Sequence, residues 1–384
     1  MPASRSQPAT TPDPVRPDFG GRCLTEVCGP LLAAHRGDRG AEPVPWLPAP
    51  ARRASQIVLL VLDGLGARQL EARRDVAPFL SAGGDATITS VAPSTTATAL
   101  TSLTTGLPPA RHGVVGYRVF LAGEVLNVLA WRLDGRDGRQ LVPPREFQPF
   151  RPFPDSPVPV PVVSRNDYGP TGFTAAHLDG TLLHGWHTPS GLVVEARRLL
   201  AGGAPFVYAY YDGIDRTAHA RGLGEHYDAE LRAADRLVAD LVDVLPEGAA
   251  LVVTADHGQV EVGSSIEVLG PDTMDYVDLL SGEGRFRWLH ARHGARQELA
   301  AHARERYGHV AWVFEVDELI EGGWLGGVPD AAVRARLGDV ALVPFAPTAI
   351  LDPADPGEQR LVCRHGSLTE DEMLVPVAAW GNGC

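Results

Sequence analysis

Three short apolar runs in this sequence each end in, or shortly before, side chains that can hold a metal ion. IVLLVL (57–62) is followed by Asp63 and Gly64, and LVVTA (251–255) by Asp256, His257 and Gly258. FVYAYY (206–211) leads to Asp212 and then to DRTAH, which sets Asp215 and His219 four residues apart on one face of a helical turn. An Asp after a strand is commonly a helix cap or a turn former, and an Asp/His pair on a helix is commonly a solvated face. Three such groups, each at the end of an apolar run, point instead to a shared metal site. Mixed Asp/His sets suit zinc or manganese, with imidazole favouring zinc.

A second cluster is APSTTATALTSLTTG (92–106), in which Pro93 and Ser94 break the preceding strand and a helix follows with Leu100 and Leu103 inward. Thr96 then stands in the first turn, where free N–H groups and the helix dipole attract an anion. A hydroxyl there that also touches a metal can be ionised and aligned for attack on phosphorus. A helix cap is the plain alternative, and Thr95 and Thr98 are the competing hydroxyls. Near the C-terminus, RHGSLTEDEMLVPV (364–377) puts His365 and Gly366 before another apolar run.

The elements that must position these residues follow from the hydrophobic pattern. The runs at 57–62, 206–211 and 250–255 are continuous rather than alternating, as in strands buried on both faces. Segment 229–245 is amphipathic, with Leu231, Leu237, Leu241 and Val244 on one face. Strands alternating with helices predict an α/β fold, a mainly parallel sheet sandwiched by helices. The Pro-laden stretch 148–163 reads as loop or edge. Between His257 and His365 lie further signals, RFRWLH, ARQELAAHARERYG and AWVFEV, which predict a small α/β insertion at 263–350. Residues 1–50 read as an N-terminal arm, its first twenty residues mobile, with a short helix around Leu31 to Ala34.

Composition narrows the chemistry further. The 384 residues carry 34 basic and 47 acidic side chains, a net charge of −13, and every basic residue is arginine. The lack of lysine excludes a Walker A lysine, a Schiff-base lysine and a lysine general base. The acidic balance argues against binding a nucleic-acid polymer. Four cysteines, Cys23, Cys28, Cys363 and Cys384, make no disulfide framework and no zinc ribbon. The first twenty residues have no apolar signal core, and no apolar run is long enough to cross a bilayer, so a cytoplasmic location is expected. The sequence does not fix the oligomeric state.

The ordered set VLDG, PSTT…TTG…RHG, DxxxH, TADHG and HG…EMLVPV resembles the alkaline phosphatase superfamily, and within it the nucleotide pyrophosphatase/phosphodiesterase family. The resemblance runs from Gln56 to Ala379 and implies a catalytic domain at 51–384. It implies two divalent cations, one held by Asp63, Thr96, Asp256 and His257, the other by Asp215, His219 and His365. It implies attack by Thr96, a covalent phospho-threonine, and hydrolysis of a phosphodiester or pyrophosphate bond in a small phosphorylated metabolite, such as a nucleotide. A phosphomonoesterase or phosphonate hydrolase on the same metals is the alternative. A phosphoglycerate-mutase-like isomerase fits less well, because the stretch from Thr96 to Asp215 is short for that family's second domain. No cysteine lies in the C/S-x-P-x-R signature of the superfamily's sulfatases.

The chain departs from the family where its diesterases carry an asparagine beside the nucleophile, since RHGVVGYRV puts Tyr117 there. A phenol can donate one hydrogen bond to a phosphoryl oxygen. Arg118 beside it can clamp a phosphate, which suits a monoester better, or can be a plain surface arginine. Arg364, next to His365, is the second candidate cation. His177, His184 and His187 read as exposed loop residues, and His112 as structural.

Overall fold

The continuous apolar runs become the interior of one sheet because both their faces are covered. The computed structural model describes residues 11–36, 44–355 and 357–383. Seven strands lie in the order Ala86–Thr89, Leu374–Gly381, Ala249–Thr254, Gln56–Leu62, Phe206–Tyr211, Pro161–Arg165 and Leu182–Trp186. The last five are mutually parallel, and Leu374–Gly381 runs antiparallel to its neighbours on both sides. Every residue of Ile57 to Leu62 is buried, and so are all of Phe206–Tyr211 and Ala249–Thr254. Helix Glu225–Asp243 covers the sheet with Leu231, Leu237 and Leu241, while Val244 falls just beyond its end.

Register turns this sheet into a scaffold for a site. Val61 pairs with Thr254 and Leu62 with Tyr211, so Asp63, Asp212 and Asp256 emerge level at the carboxyl ends of three adjacent strands. Ligands sit at that edge in open α/β sheets. Helix Thr96–Thr105 approaches from the side and is buried throughout, Leu100 and Leu103 included.

Between His257 and His365, strands Val277–Glu283, Phe286–Ala291, Val340–Pro344 and Ala311–Glu315 form an antiparallel sheet, with helix Arg296–Tyr307 against it. Leu280, Leu289, Leu299, Tyr307 and Leu342 make a core of their own there.

Two expectations differ from the structure. Pro161 begins a strand inside the sheet rather than at its edge, a position where its missing N–H costs least. Residues 11–36 lie against the body of the chain: Val15 donates to the Leu368 carbonyl, Trp312 donates to that of Pro12, and Leu24, Val27 and Leu31 are buried. Helix Cys28–Arg36 contains the expected helical segment. Residues 1–10 of the expected arm, and Cys384, lie outside the described residues. Cys23, Cys28 and Cys363 are free and buried. Among the described residues no helix is long and apolar enough to cross a membrane.

Candidate active site

Asp63 and Asp256 each use one carboxylate oxygen locally and leave the other bare. Asp63 Oδ2 accepts from the Tyr210 hydroxyl, and Asp256 Oδ1 accepts from the backbone N–H groups of Gly64 and His257 at 3.1 Å each. Asp63 Oδ1 and Asp256 Oδ2 are buried with no hydrogen-bond partner. Each lies 3.4 Å from His257 Nε2, and Thr96 Oγ1 lies 3.0 Å from the same nitrogen. Four donor atoms thus converge on one small volume.

The second set is built around Asp215 on helix Gly213–Arg221. Its Oδ1 lies 3.2 Å from His219 Nε2 and 3.8 Å from His365 Nε2, and it accepts from the Gln259 amide. His365 reaches this point because Cys363–Arg364 pairs with Val260–Glu261, just beyond the DHG turn. Gly64 must be glycine here: its φ is +74°, and a Cβ would come within 3.0 Å of the Asp215 Cβ. Helix Thr96–Thr105 is tied to the same turn, since Ser94 N–H donates to the Gly366 carbonyl and Ser94 Oγ to that of Ser367.

All three histidines present the same nitrogen. His219 Nδ1 lies 2.7 Å from the Cys363 carbonyl, His257 Nδ1 3.0 Å from that of Gly258, and His365 Nδ1 3.0 Å from that of Ser94. A carbonyl can only accept, so each Nδ1 carries the hydrogen, and each ring, when neutral, turns its Nε2 lone pair into the site. The rings of His257 and His365 stack with centroids 3.5 Å apart.

Electrostatics favour cations in this arrangement. Burial, then Asp256 and Asp215, pushes the Asp63 carboxyl well above the carboxylate range, and burial raises Asp256 to about 7. Burial holds His257 down to about 3, and burial with the neighbouring His257 holds His365 well below its usual value. Burial opposes charge on both Asp215 and His219, but their mutual attraction outweighs it, lowering the carboxyl and raising the imidazole. Buried carboxylates with bare oxygens beside imidazoles make a donor set that can hold a divalent cation. Asp63, Asp256 and His257 form one candidate metal group, and Asp215, His257 and His365 another. His257 therefore stands between the two sets, while His219 adjoins the second through Asp215.

Thr96 is the first residue of its helix and is 8% exposed. Thr95, the cap, makes no side-chain bond to the first turn, which leaves the leading amides without an intrahelical acceptor. Thr98 is fully buried with its hydroxyl unpartnered. Two lobes open on either side of Thr96 and share Thr96, Leu129 and Asp215. One, of about 290 Å³, is walled by Leu100, Tyr168, Phe173, His177 and Tyr210. The other, of about 320 Å³, is walled by Tyr117, Glu283, Glu358, Arg364 and His365.

Tyr117 and Arg118 diverge. The Tyr117 hydroxyl accepts from Asn127 at 2.6 Å, and burial pushes its pKa up to about 12, so it keeps a proton to donate. The Arg118 guanidinium is neither on the surface nor in a lobe: it forms a buried ion pair with Asp352. The sequence gives no sign of a partner so distant in the chain. His177 is likewise not an exposed loop residue. It is buried on helix Gly172–His177, where the four-residue spacing stacks it on Phe173 at 3.9 Å and both rings line the first lobe. His184 is half-buried and His187 exposed. His112 is buried and bonded to Ser102. Tyr210, Gln259 and Glu283 are site residues that motif spacing did not mark; the pair Tyr208 and Tyr210 in FVYAYY, alternating toward one face, is the only trace.

Residues 57–146 and 155–367 match the type I phosphodiesterase / nucleotide pyrophosphatase family. Murine ectonucleotide pyrophosphatase/phosphodiesterase 5 superposes with a TM-score of 0.64 at 15% identity, over 85% of this chain and 88% of that one. An inactive form of the murine protein in complex with AMP gives 0.63 at 14% identity, with the same coverage of both chains. Phosphonoacetate hydrolase from Sinorhizobium meliloti 1021, in complex with phosphonoformate, gives 0.62 at 19% identity, over 85% of this chain and 90% of that one. No protein with a curated description matches the chain in sequence. With an alkaline-phosphatase-like sheet and a family match along most of its length, the chain belongs to the type I phosphodiesterase / nucleotide pyrophosphatase family, a family of metal-dependent hydrolases within the alkaline phosphatase superfamily.

Proposed function

We propose that this protein hydrolyses phosphodiester or pyrophosphate bonds in small phosphorylated metabolites, with Thr96 as nucleophile and two divalent cations, zinc or manganese, at the site. The observation that carries this reading is the convergence of Asp63 Oδ1, Asp256 Oδ2, Thr96 Oγ1 and His257 Nε2, with two carboxylate oxygens otherwise unpartnered. Those four residues would hold one cation, and Asp215, His219 and His365 the other. When bound, the cations supply charge neutralisation for the attacking and leaving oxygens.

The chain's own residues do the rest. Thr96 Oγ1 forms a bond to phosphorus as the bond to the leaving oxygen breaks, giving a phospho-threonine and a released alcohol or phosphate. Water then attacks phosphorus, the threonine oxygen departs and regains its proton, and the second product leaves. Free N–H groups of the first helical turn face the developing negative charge. Tyr117, kept protonated, donates to a phosphoryl oxygen.

Two lobes flanking Thr96 favour a diester, since a phosphorus with two organic substituents needs room on both sides. The monoesterase alternative assigned its extra cation first to Arg118, and that side chain is committed to Asp352. A panel of aryl phosphodiesters, nucleoside pyrophosphates and matching monoesters, assayed with zinc or manganese, tests the reading. Diesters or pyrophosphates are expected to be cleaved with the higher kcat/KM. A monoester preference would overturn it.

A further inference from the structure

We propose that the lobe beside His365 takes a second anionic group of the substrate, a carboxylate or a phosphate, and that Arg364 binds it. The inference deepens the functional reading above and rests on Thr96 being where phosphorus is attacked.

Arg364 is 2% exposed, yet its Nε, Nη1 and Nη2 are all buried without a hydrogen-bond partner. Glu358 Oε1 lies 3.5 Å from Nη1, but that carboxylate is already engaged: one oxygen accepts from the Gly284 N–H and the other from Arg287 at 2.6 Å. The chain treats its other fully buried guanidiniums differently. Arg285 bonds both oxygens of Glu372, at 3.1 and 2.6 Å, and the Thr348 carbonyl at 2.7 Å. Arg287 bonds Glu358 and the Ile350 carbonyl. A guanidinium has five donors and no acceptor, and leaving them unbonded in the interior is costly. Arg364 carries that cost while lining the lobe that also holds Thr96 and Tyr117.

The lobe's other unpartnered group agrees with an anion. Glu283 Oε1 is buried without a partner, while its Oε2 accepts from the Tyr117 N–H at 2.9 Å. Burial pushes the Glu283 carboxyl up to about 8, so near neutral pH it meets a ligand as an O–H donor, not as a like charge. A carboxylate or phosphate supplies the paired oxygens that a guanidinium fork binds best, and a neutral substituent supplies none. A volume of about 320 Å³ holds such a group together with a short linker to phosphorus. The other lobe, walled by Leu100, Phe173, Tyr168 and Tyr210 with the Asp212–Arg216 pair beside them, is left for the rest of the substrate.

The test is direct binding to the zinc-loaded protein, by calorimetry, of ethylphosphonate, 2-carboxyethylphosphonate and propane-1,3-diphosphonate. Wild type is expected to bind at least one of the doubly anionic ligands about 10-fold or more tighter than ethylphosphonate, as a charge-assisted fork provides. The tighter of the two tells carboxylate from phosphate. Arg364→Ala should bring that ratio close to one at unchanged metal content and melting temperature, and Arg364→Lys should keep part of it. No preference in wild type, or the same preference in Arg364→Ala, overturns the proposal. So does an equal loss for all three ligands, because Arg364 would then grip the transferred phosphoryl group itself. Diester turnover on the same preparations keeps the two readings apart. Selectivity without turnover sinks the hydrolase reading alone, and turnover without selectivity sinks the Arg364 assignment alone.

Discussion

Replacing Thr96 by alanine should leave a folded protein that has lost most of its rate. The side chain is 8% exposed and makes one hydrogen bond, 3.0 Å to His257 Nε2. Losing that bond costs about 1 kcal/mol and losing a buried methyl about 0.8 kcal/mol, so the stability change is about 2 kcal/mol. For a chain of this size that lowers Tm by roughly 2 to 3 °C. The rate has a different scale, because removal of a covalent nucleophile leaves only binding and electrostatic stabilisation, a loss of roughly 1000-fold or more. Thr96→Ser keeps the oxygen but frees it to rotate, so it should melt about 2 °C below wild type and lose roughly 10- to 100-fold in kcat.

The assay is steady-state hydrolysis of bis(para-nitrophenyl) phosphate, with metal content and Tm measured on the same samples. Acid-quenched protein is digested to locate the phosphorylated residue. Phosphate found on Thr95 or Thr98 refutes the assignment. So does a Thr96→Ala protein that retains its metal and works within tenfold of wild type. Thr98 is the informative control, since its hydroxyl is buried without a partner yet lines neither lobe.

Other outcomes follow from the same geometry. Chelation should abolish hydrolysis and lower Tm by roughly 5 °C relative to protein at metal concentrations 100-fold above Kd, with zinc or manganese restoring both; full activity in metal-free protein contradicts the site as described. His365→Ala and Asp256→Ala should lose activity and bound metal alike, and a His365→Ala protein with metal and rate intact makes the HG segment a mere turn. Tyr117→Phe should lower kcat roughly 10- to 1000-fold as a lost donor, whereas Arg118→Ala leaves Asp352 with Arg287, 4.0 Å away, as its remaining cation and should cost about 2 kcal/mol of stability at little change in kcat; the reverse pattern of the two variants excludes this division of labour. Glu283 has its carboxyl raised from 4.5 to about 8, so its contribution to stability is full below pH 4.5 and lost as pH rises through 8. Glu283→Gln cannot ionise and should gain a few kcal/mol on wild type between pH 5 and pH 9; melting curves whose difference stays flat with pH would refute it.

Much of this was legible before any coordinates, for a physical reason. A strand buried on both faces must be continuously apolar, so the polar residue that ends the run marks the sheet's carboxyl edge. That is why Asp63, Asp212 and Asp256 could be read as neighbours, and the register of Leu62 with Tyr211 and Val61 with Thr254 places them level. Partners chosen by tertiary packing were not legible. Arg118 and Asp352 meet across 234 positions of sequence, and Glu358 engages Arg287 across 71. The four-stranded sheet from Arg118 to Asp137 leaves no pattern, because its strands have two to four residues and no sustained alternation. Proline density argues against an interior strand at 148–163, yet Pro161, as the first residue of its strand, gives up no ladder bond the sheet requires. Nothing local to His177 says that the turn of helix carrying it closes a lobe.

The arginine economy of the chain explains why such a site depends on cations from outside. A phosphoryl group needs positive charge, and this chain has 34 arginines, no lysine and 47 carboxylates. Where arginines are buried near the site they are mostly neutralised: Arg118 by Asp352, Arg285 by Glu372 and Arg287 by Glu358. The lobe at Thr96 meanwhile gathers Asp63, Asp212 and Asp215, a set of carboxyl groups that offers an incoming phosphate no positive charge. Divalent cations held by those side chains would reverse that sign at the point of attack, which the bonded arginines cannot do. Arg364, one residue from His365, only shares Glu358 with Arg287 and makes no hydrogen bond, so its guanidinium is suited to a part of the substrate that the cations would not reach. On the proposed division, the cations would govern whether phosphorus is attacked, and Arg364 whose phosphorus it is.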